Sequence, residues 1–167
     1  MAGWGSRPVT FVLFDALGET PEVEGAPYGP LETLWRFDLD LAVRKLYPAV
    51  DPLQSTSVLL ESAQVEATHL TTVARARALL RRYRDLRIVV PLHGLEKFSA
   101  DDQLKLRRGE RLEAFLSQPF FLTEAYTKLP GAWVPLPEAI NGVKRIIDGA
   151  ADEAATEALR YIGAWAA

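Results

Sequence analysis

The chain has 167 residues, of which 49% are hydrophobic, 25% charged and 10% aromatic, enough for one globular domain with a real core. No apolar run approaches the roughly 20 residues of a bilayer span, and Met1 to Pro8 lacks the charged head and apolar stretch of a secretory signal. The absence of cysteine excludes disulfides, thiol nucleophiles and thiolate metal sites and fits a cytoplasmic chain, while a net charge of −3 gives no global pull towards nucleic acid.

In chain order, Val9 to Phe14 is short and rich in β-branched and aromatic residues, which predicts a strand. The Gly/Pro-rich, acidic stretch Gly18 to Pro30 predicts a loop. Residues 1–30 thus form an N-terminal strand and loop region, and residues 31–167 a helical domain. Leu31 to Leu46 reads as a helix stopped by Pro48, followed by the two-proline connector Tyr47 to Pro52. Apolar residues at Val73, Ala76, Leu79, Leu80, Tyr83 and Leu86 predict a helix over Thr68 to Leu86, broken by Pro91 and Gly94. Ser99 caps the next helix, with Asp101 and Asp102 in its first turn; it runs to about Ser117 with Leu104, Leu112, Phe115 and Leu116 as its buried face. Phe120 to Lys128 predicts a short helix. Pro137 opens another, with Leu136, Ile140, Val143 and Ile147 on one stripe and Gly149 as its C-cap; a last helix covers Ala154 to Ile162. The fold class is mainly α, a helical bundle with a short N-terminal β-strand region.

The chemistry begins with absences. No lysine follows a glycine, so there is no Walker A loop, and neither Gly-x-Gly-x-x-Gly nor Gly-x-Ser-x-Gly occurs. His69 and His93 lie far apart without a second ligand at metal spacing, and Asp101 and Asp102 are better explained by the helix dipole than by acid–base catalysis. No catalytic residue and no metal site is expected. Arg75, Arg77, Arg81, Arg82, Arg84 and Arg87 crowd one helix. They suit phosphates, or else a solvated face, or one paired with the acidic N-terminal stretch or a partner; the charge balance weighs against nucleic acid. Phe120, Thr123 and Tyr126 recur at a spacing of three, and Tyr47 stands in the rigid connector. Such rings form either core or a platform for a planar base, worth about 1–3 kcal/mol per stacked base.

Tyr47-Pro-Ala-Val-Asp-Pro-Leu-Gln-Ser-Thr-Ser57 and Phe115-Leu-Ser-Gln-Pro-Phe120 resemble two signature stretches of the F-type ATP synthase beta subunit. The likeness continues through Arg82-Tyr83, Gly94, Pro130-Gly131, Val134-Pro135-Leu136 and Ile147-Asp148-Gly149, and covers about residues 30 to 163. Glu96-Lys97-Phe98-Ser99-Ala100-Asp101-Asp102 stands where that family has its acidic helix–turn motif. The resemblance implies the family's C-terminal helical domain. It also implies adenine contacts at Tyr47, Phe120, Thr123 and Tyr126, and a segment from Glu96 to Asp102 that touches the central stalk.

Departures matter equally. The phosphate loop, the magnesium ligands and the catalytic glutamate belong to a part of the family sequence with no match in these 167 residues. No cofactor is therefore required, and adenine stacking alone gives ATP or ADP an affinity of only about millimolar. In the turn, Glu96, Asp101 and Asp102 are offset by Lys97, so a stalk contact is electrostatically weakened. The expected role is a non-catalytic interaction module of an ATP synthase or related complex, with the central stalk and the alpha and beta subunits as partners. The alternatives are an adenine-nucleotide-binding regulator, a split beta subunit active only with a partner chain, or a remnant whose aromatics are core. Expected too are a cytoplasmic location, peripheral to the membrane through a complex and without direct membrane insertion, and a homodimer or small local sheet formed through the apolar strand Val9 to Phe14.

Overall fold

A computed structural model describes residues 10–14, 31–61 and 65–165, and the chain divides between Leu31 and Glu32 into two units. In the first, Thr10 to Phe14 are exposed and belong to no strand. Apolar, β-branched character is not sufficient: a strand exists through hydrogen bonds to a neighbour, and no described residue pairs with this segment. Val9 and the loop from Gly18 to Pro30 lie outside the described residues.

The second unit opens with two short antiparallel strands, β1 (Thr33–Leu34) and β2 (Thr56–Ser57), in register Thr33 to Ser57 and Leu34 to Thr56. The pairing extends past the strands. Asp51 N–H donates to Arg36 O, Asp38 N–H donates to Ala49 O, and Phe37 bridges Val50. The helix expected over Leu31 to Leu46 therefore shrinks to α1 (Leu39–Val43). Asp38 caps it by accepting from Leu41 N–H at 3.0 Å, and Lys45, at φ 58°, ends it. Residues 32–38 are claimed by the connector, whose extended backbone offers them partners that helix formation would leave unused.

Helix α2 (Ala67–His93) is the longest element. It passes through Pro91 rather than breaking there, because the proline costs one hydrogen bond in an exposed final turn; Gly94, at φ 84°, ends it. Helix α3 (Ala100–Phe115) starts where Ser99 Oγ accepts from Asp102 N–H at 3.1 Å. After a 3₁₀ turn at Phe121–Thr123 come α4 (Glu124–Thr127) and α5 (Leu136–Asp148), the latter with Pro137 in its first turn and Gly149, at φ 99°, as its cap. The helix expected over Ala154 to Ile162 is only a 3₁₀ turn, Thr156–Leu159. Its one buried residue, Leu159, reaches the core, and Tyr161 adopts φ 56°, which stops further helical winding.

The core lies where α2, α3 and α5 meet: Leu80 and Tyr83, Leu112 and Phe115, Val143, Ile146 and Ile147, closed by Leu159. Leu136 is exposed, unlike the stripe it was expected to join, because it opens α5 one turn before the contact begins. Two glycines set how closely the helices approach. A Cβ on Gly109 would lie 2.3 Å from Tyr83 Cβ, and one on Gly142 would lie 2.5 Å from Phe115 Cζ. The arginines of α2 bind this bundle together. Arg75 pairs with Asp148, Arg82 with Asp102, Arg84 with Asp51 and Arg87 with Asp40, while Arg77 donates to Ser55 O. Each of these five arginines thus has an acid or a carbonyl partner in the same chain.

Candidate functional site

Two groups of residues were singled out by sequence, and the fold places them on different elements. The first is the aromatic group. Tyr47 is anchored through its backbone: its N–H donates to the Tyr161 hydroxyl at 3.1 Å, and its C=O accepts from Gln118 N–H at 2.7 Å. Tyr161 in turn donates its hydroxyl proton to Lys45 O. The Gln118 bond brings the connector beside the segment that leads, two residues later, to Phe120. Phe120 is extended, and its C=O accepts from both N–H and Oγ1 of Thr123 at 3.0 Å. Phe120, Thr123 and Tyr126 therefore do not share one α-helix. They follow an extended residue, a 3₁₀ turn and α4, where the threefold period of the 3₁₀ turn replaces the helical one.

Exposure decides between the two readings of these rings. Tyr47 is 37% exposed, Phe120 40% and Tyr126 87%, so none is core; Thr123 is half-buried. Around them Phe121, Leu122 and Trp133 are also exposed, and none of the three was anticipated. Their signal was an apolar run, Phe120-Phe121-Leu122, directly after Pro119, where a turn to solvent is expected to be polar. The loop after α4 folds back onto this segment, with Ala132 N–H on Pro119 O and Gly131 N–H on Glu124 Oε1. A Cβ on Gly131 would strike Phe121 at 2.5 Å, so this approach requires glycine.

The second group is the turn between α2 and α3. Leu95–Lys97 form one 3₁₀ turn, and Glu96, Lys97, Ser99, Ala100 and Asp101 are exposed, with Phe98 and Asp102 half-buried. Two of its three acids are already engaged. Asp102 takes a bidentate pair from Arg82 at 2.8 and 2.7 Å, and Asp101 pairs with Lys105. The Arg82 hydrogen bonds hold the Asp102 carboxyl below its usual value of 3.8. Glu96 and Lys97 make no ion pair among the described residues. On the preceding turns of α2, Ile88 and Leu92 are exposed, which gives the hairpin an apolar flank.

Among the described residues no group of three His, Asp or Glu could hold a metal, and no helix is long and apolar enough to cross a membrane. What these elements define is a small α-helical bundle domain built around a long helical hairpin. Over residues 60–155 the chain matches the family model described as the C-terminal domain of V and A type ATP synthase, and it belongs to that family. The match spans the hairpin turn and Phe120, Thr123 and Tyr126; Tyr47 precedes it. It supports the ATP synthase C-terminal domain expected from the sequence without singling out the F-type beta subunit.

Proposed function

We propose that this chain is a non-catalytic, F-type beta-like C-terminal domain that acts as an interaction module of a rotary ATP synthase or a related complex. The exposed α2–α3 turn carries this reading: its backbone is fixed by Gly94 and the Ser99 cap, while Glu96 and Lys97 are exposed and make no ion pair among the described residues. With Asp101 and Asp102 neutralised by Lys105 and Arg82, charge attraction to a partner is weak, and the contact rests on shape and the apolar flank. Native affinity purification of the tagged chain is the test. Recovery of synthase subunits, lost in a variant with Ile88→Ser and Leu92→Ser, is expected; recovery of none under conditions that preserve the complex rejects the reading.

Exposure of Tyr47, Phe120 and Tyr126 favours a second reading, in which the same domain binds the adenine ring of ATP or ADP. Rings held at the surface by backbone hydrogen bonds are available for stacking as core rings are not. Stacking alone gives affinity of about millimolar. Titration of ATP followed by tyrosine and tryptophan fluorescence checks it: a response abolished by Tyr47→Ala supports adenine binding, and an unchanged response in that variant removes it.

A further inference from the structure

Between α2 and α3, and lined also by Ile147 of α5, runs a half-open groove of about 440 Å³ that shares no residue with the aromatic group. Its walls carry Arg75 and Arg82 from α2 and Lys105 and Arg108 from α3. Its apolar lining consists of the exposed Ala78, the half-buried Leu79 and Leu104, and the buried Ile147. Asp101 is the one acid in the lining and is taken by Lys105.

The acids that hold the other cations, Asp148, Asp102 and Asp152, are not part of the lining. They hold the guanidinium groups in ion pairs at 2.5–2.7 Å. They do not exhaust the donors. A guanidinium has five N–H groups and an ammonium three. Arg75 gives one hydrogen bond to Asp148, Arg82 two to Asp102, and Lys105 one to Asp101. Arg108 is the most committed, with two bonds to Asp152 and one to Ile147 O. The groove therefore offers unspent, charged donors from three positioned side chains beside an apolar lining. Its volume falls within the roughly 300–1,000 Å³ of small-molecule clefts, and its lining sets charged groups beside apolar ones.

We infer that this groove binds a small organic anion, with a phosphate or similarly multivalent oxyanion held by Arg75, Arg82 and Lys105 and an apolar or aromatic body laid on Leu79, Leu104 and Ile147. Neither half suffices. The anion alone competes with carboxylates already in place, and the apolar body alone takes the cations' remaining N–H groups out of water without replacing those hydrogen bonds.

Chemical-shift titration of the isotope-labelled full chain tests this with 1-naphthyl phosphate, inorganic phosphate and 1-naphthol as probes. Naphthyl phosphate should give saturable shifts at the amides of Ala78, Leu79, Leu104 and Ile147, and bind at least about tenfold tighter than either half alone. Arg75→Gln combined with Lys105→Gln should weaken it at least about fivefold, and the exposed, non-lining Arg107→Gln should not. Should the double variant fail to fold, raising salt from about 0.05 to 0.5 M on the unaltered chain must weaken binding by a comparable factor. Naphthol binding as well as its phosphate, shifts confined to Phe121 and Trp133, or no saturation at millimolar probe would each overturn the assignment.

Discussion

Asp51 is 1% exposed and accepts from five donors: both terminal nitrogens of Arg84, the backbone N–H groups of Leu53 and Gln54, and the Gln54 side-chain amide. Burial pushes its carboxyl up, but the bonds from Arg84, Leu53 and Gln54 and the Arg84 charge together outweigh that and hold it below the usual 3.8. A single side chain thus ties the two-proline connector to the middle of α2. Asp51→Asn keeps the shape but removes the charge and sets an amide donor against the half-buried Arg84 guanidinium. We expect a loss of about 3 kcal/mol in urea unfolding. A second cluster separates charge from hydrogen bonding. Glu113 accepts from Arg44 at 2.6 Å and from the Tyr83 hydroxyl at 3.2 Å, all against the α2–α3 interface. Burial, followed by the Glu113 charge, pushes the Tyr83 hydroxyl well above its ordinary value, so it stays a proton donor throughout the working range. Tyr83→Phe removes one bond and should cost about 1 kcal/mol. Arg44→Leu leaves a buried carboxylate without its cation and should cost about 3 kcal/mol. Equal costs in the two variants would show that the ion pair contributes nothing beyond a neutral hydrogen bond.

Between elements, the decisive position is Gly109, where α3 lies against Tyr83 of α2. Two effects oppose each other in Gly109→Ala. Helix propensity favours alanine by up to about 1 kcal/mol. Against it, the new methyl would sit 2.3 Å from Tyr83 Cβ and 2.6 Å from its Cγ, atoms next to the backbone that cannot swing aside. Overpacking of this kind costs about 1–3 kcal/mol, so a net loss of about 1–2 kcal/mol is expected, as a lower urea midpoint with unchanged slope. The same scale shows what could be read from the residues. Helices α2, α3 and α5 were legible because their signals are local: Ser99 as a cap, Pro137 at a start, Gly94 and Gly149 as stops. The segment from Glu32 to Asp38 was not, because its partners lie among residues 49–58, and such pairing leaves no mark in a local pattern. Ala154 to Ile162 was expected to be helical, yet Leu159 packs into the core and the Tyr161 hydroxyl bonds Lys45 O and Tyr47 N–H, contacts with distant parts of the chain. At the candidate site the residue types were visible. Their exposure was not, since it depends on Gln118 and Tyr161 fixing Tyr47 from distant parts of the chain.

For the whole molecule, α2 works as a hub whose arginines reach α1 at Asp40, the connector at Asp51, α3 at Asp102 and α5 at Asp148, with Arg108 of α3 holding Asp152. All five carboxyls lie below the usual 3.8. At Asp40 and Asp51 burial is the largest single influence and opposes the shift, and the hydrogen bonds and arginine charges overcome it only together; at Asp102, Asp148 and Asp152 the bonds to arginine or lysine lead. The folded values being depressed, the unfolded chain takes up protons first as pH falls. The stabilisation is complete above the ordinary value of 3.8 and is lost as pH drops through the lower folded values. The urea midpoint should therefore be insensitive to these groups near neutrality and fall steeply below about pH 4. Exposed pairs are each worth only about 0–1 kcal/mol, so most of that slope should come from Asp51, the one member of the set that is fully buried. The comparison is then between the unaltered chain and Asp51→Asn, in urea midpoints measured at intervals from about pH 6 to pH 2.5. If the variant shows the same acid slope from a lower starting stability, the linkage resides in the exposed pairs acting together. A markedly shallower slope places it in the single buried bond between the connector and α2, which then fixes Tyr47 and the bundle as one unit.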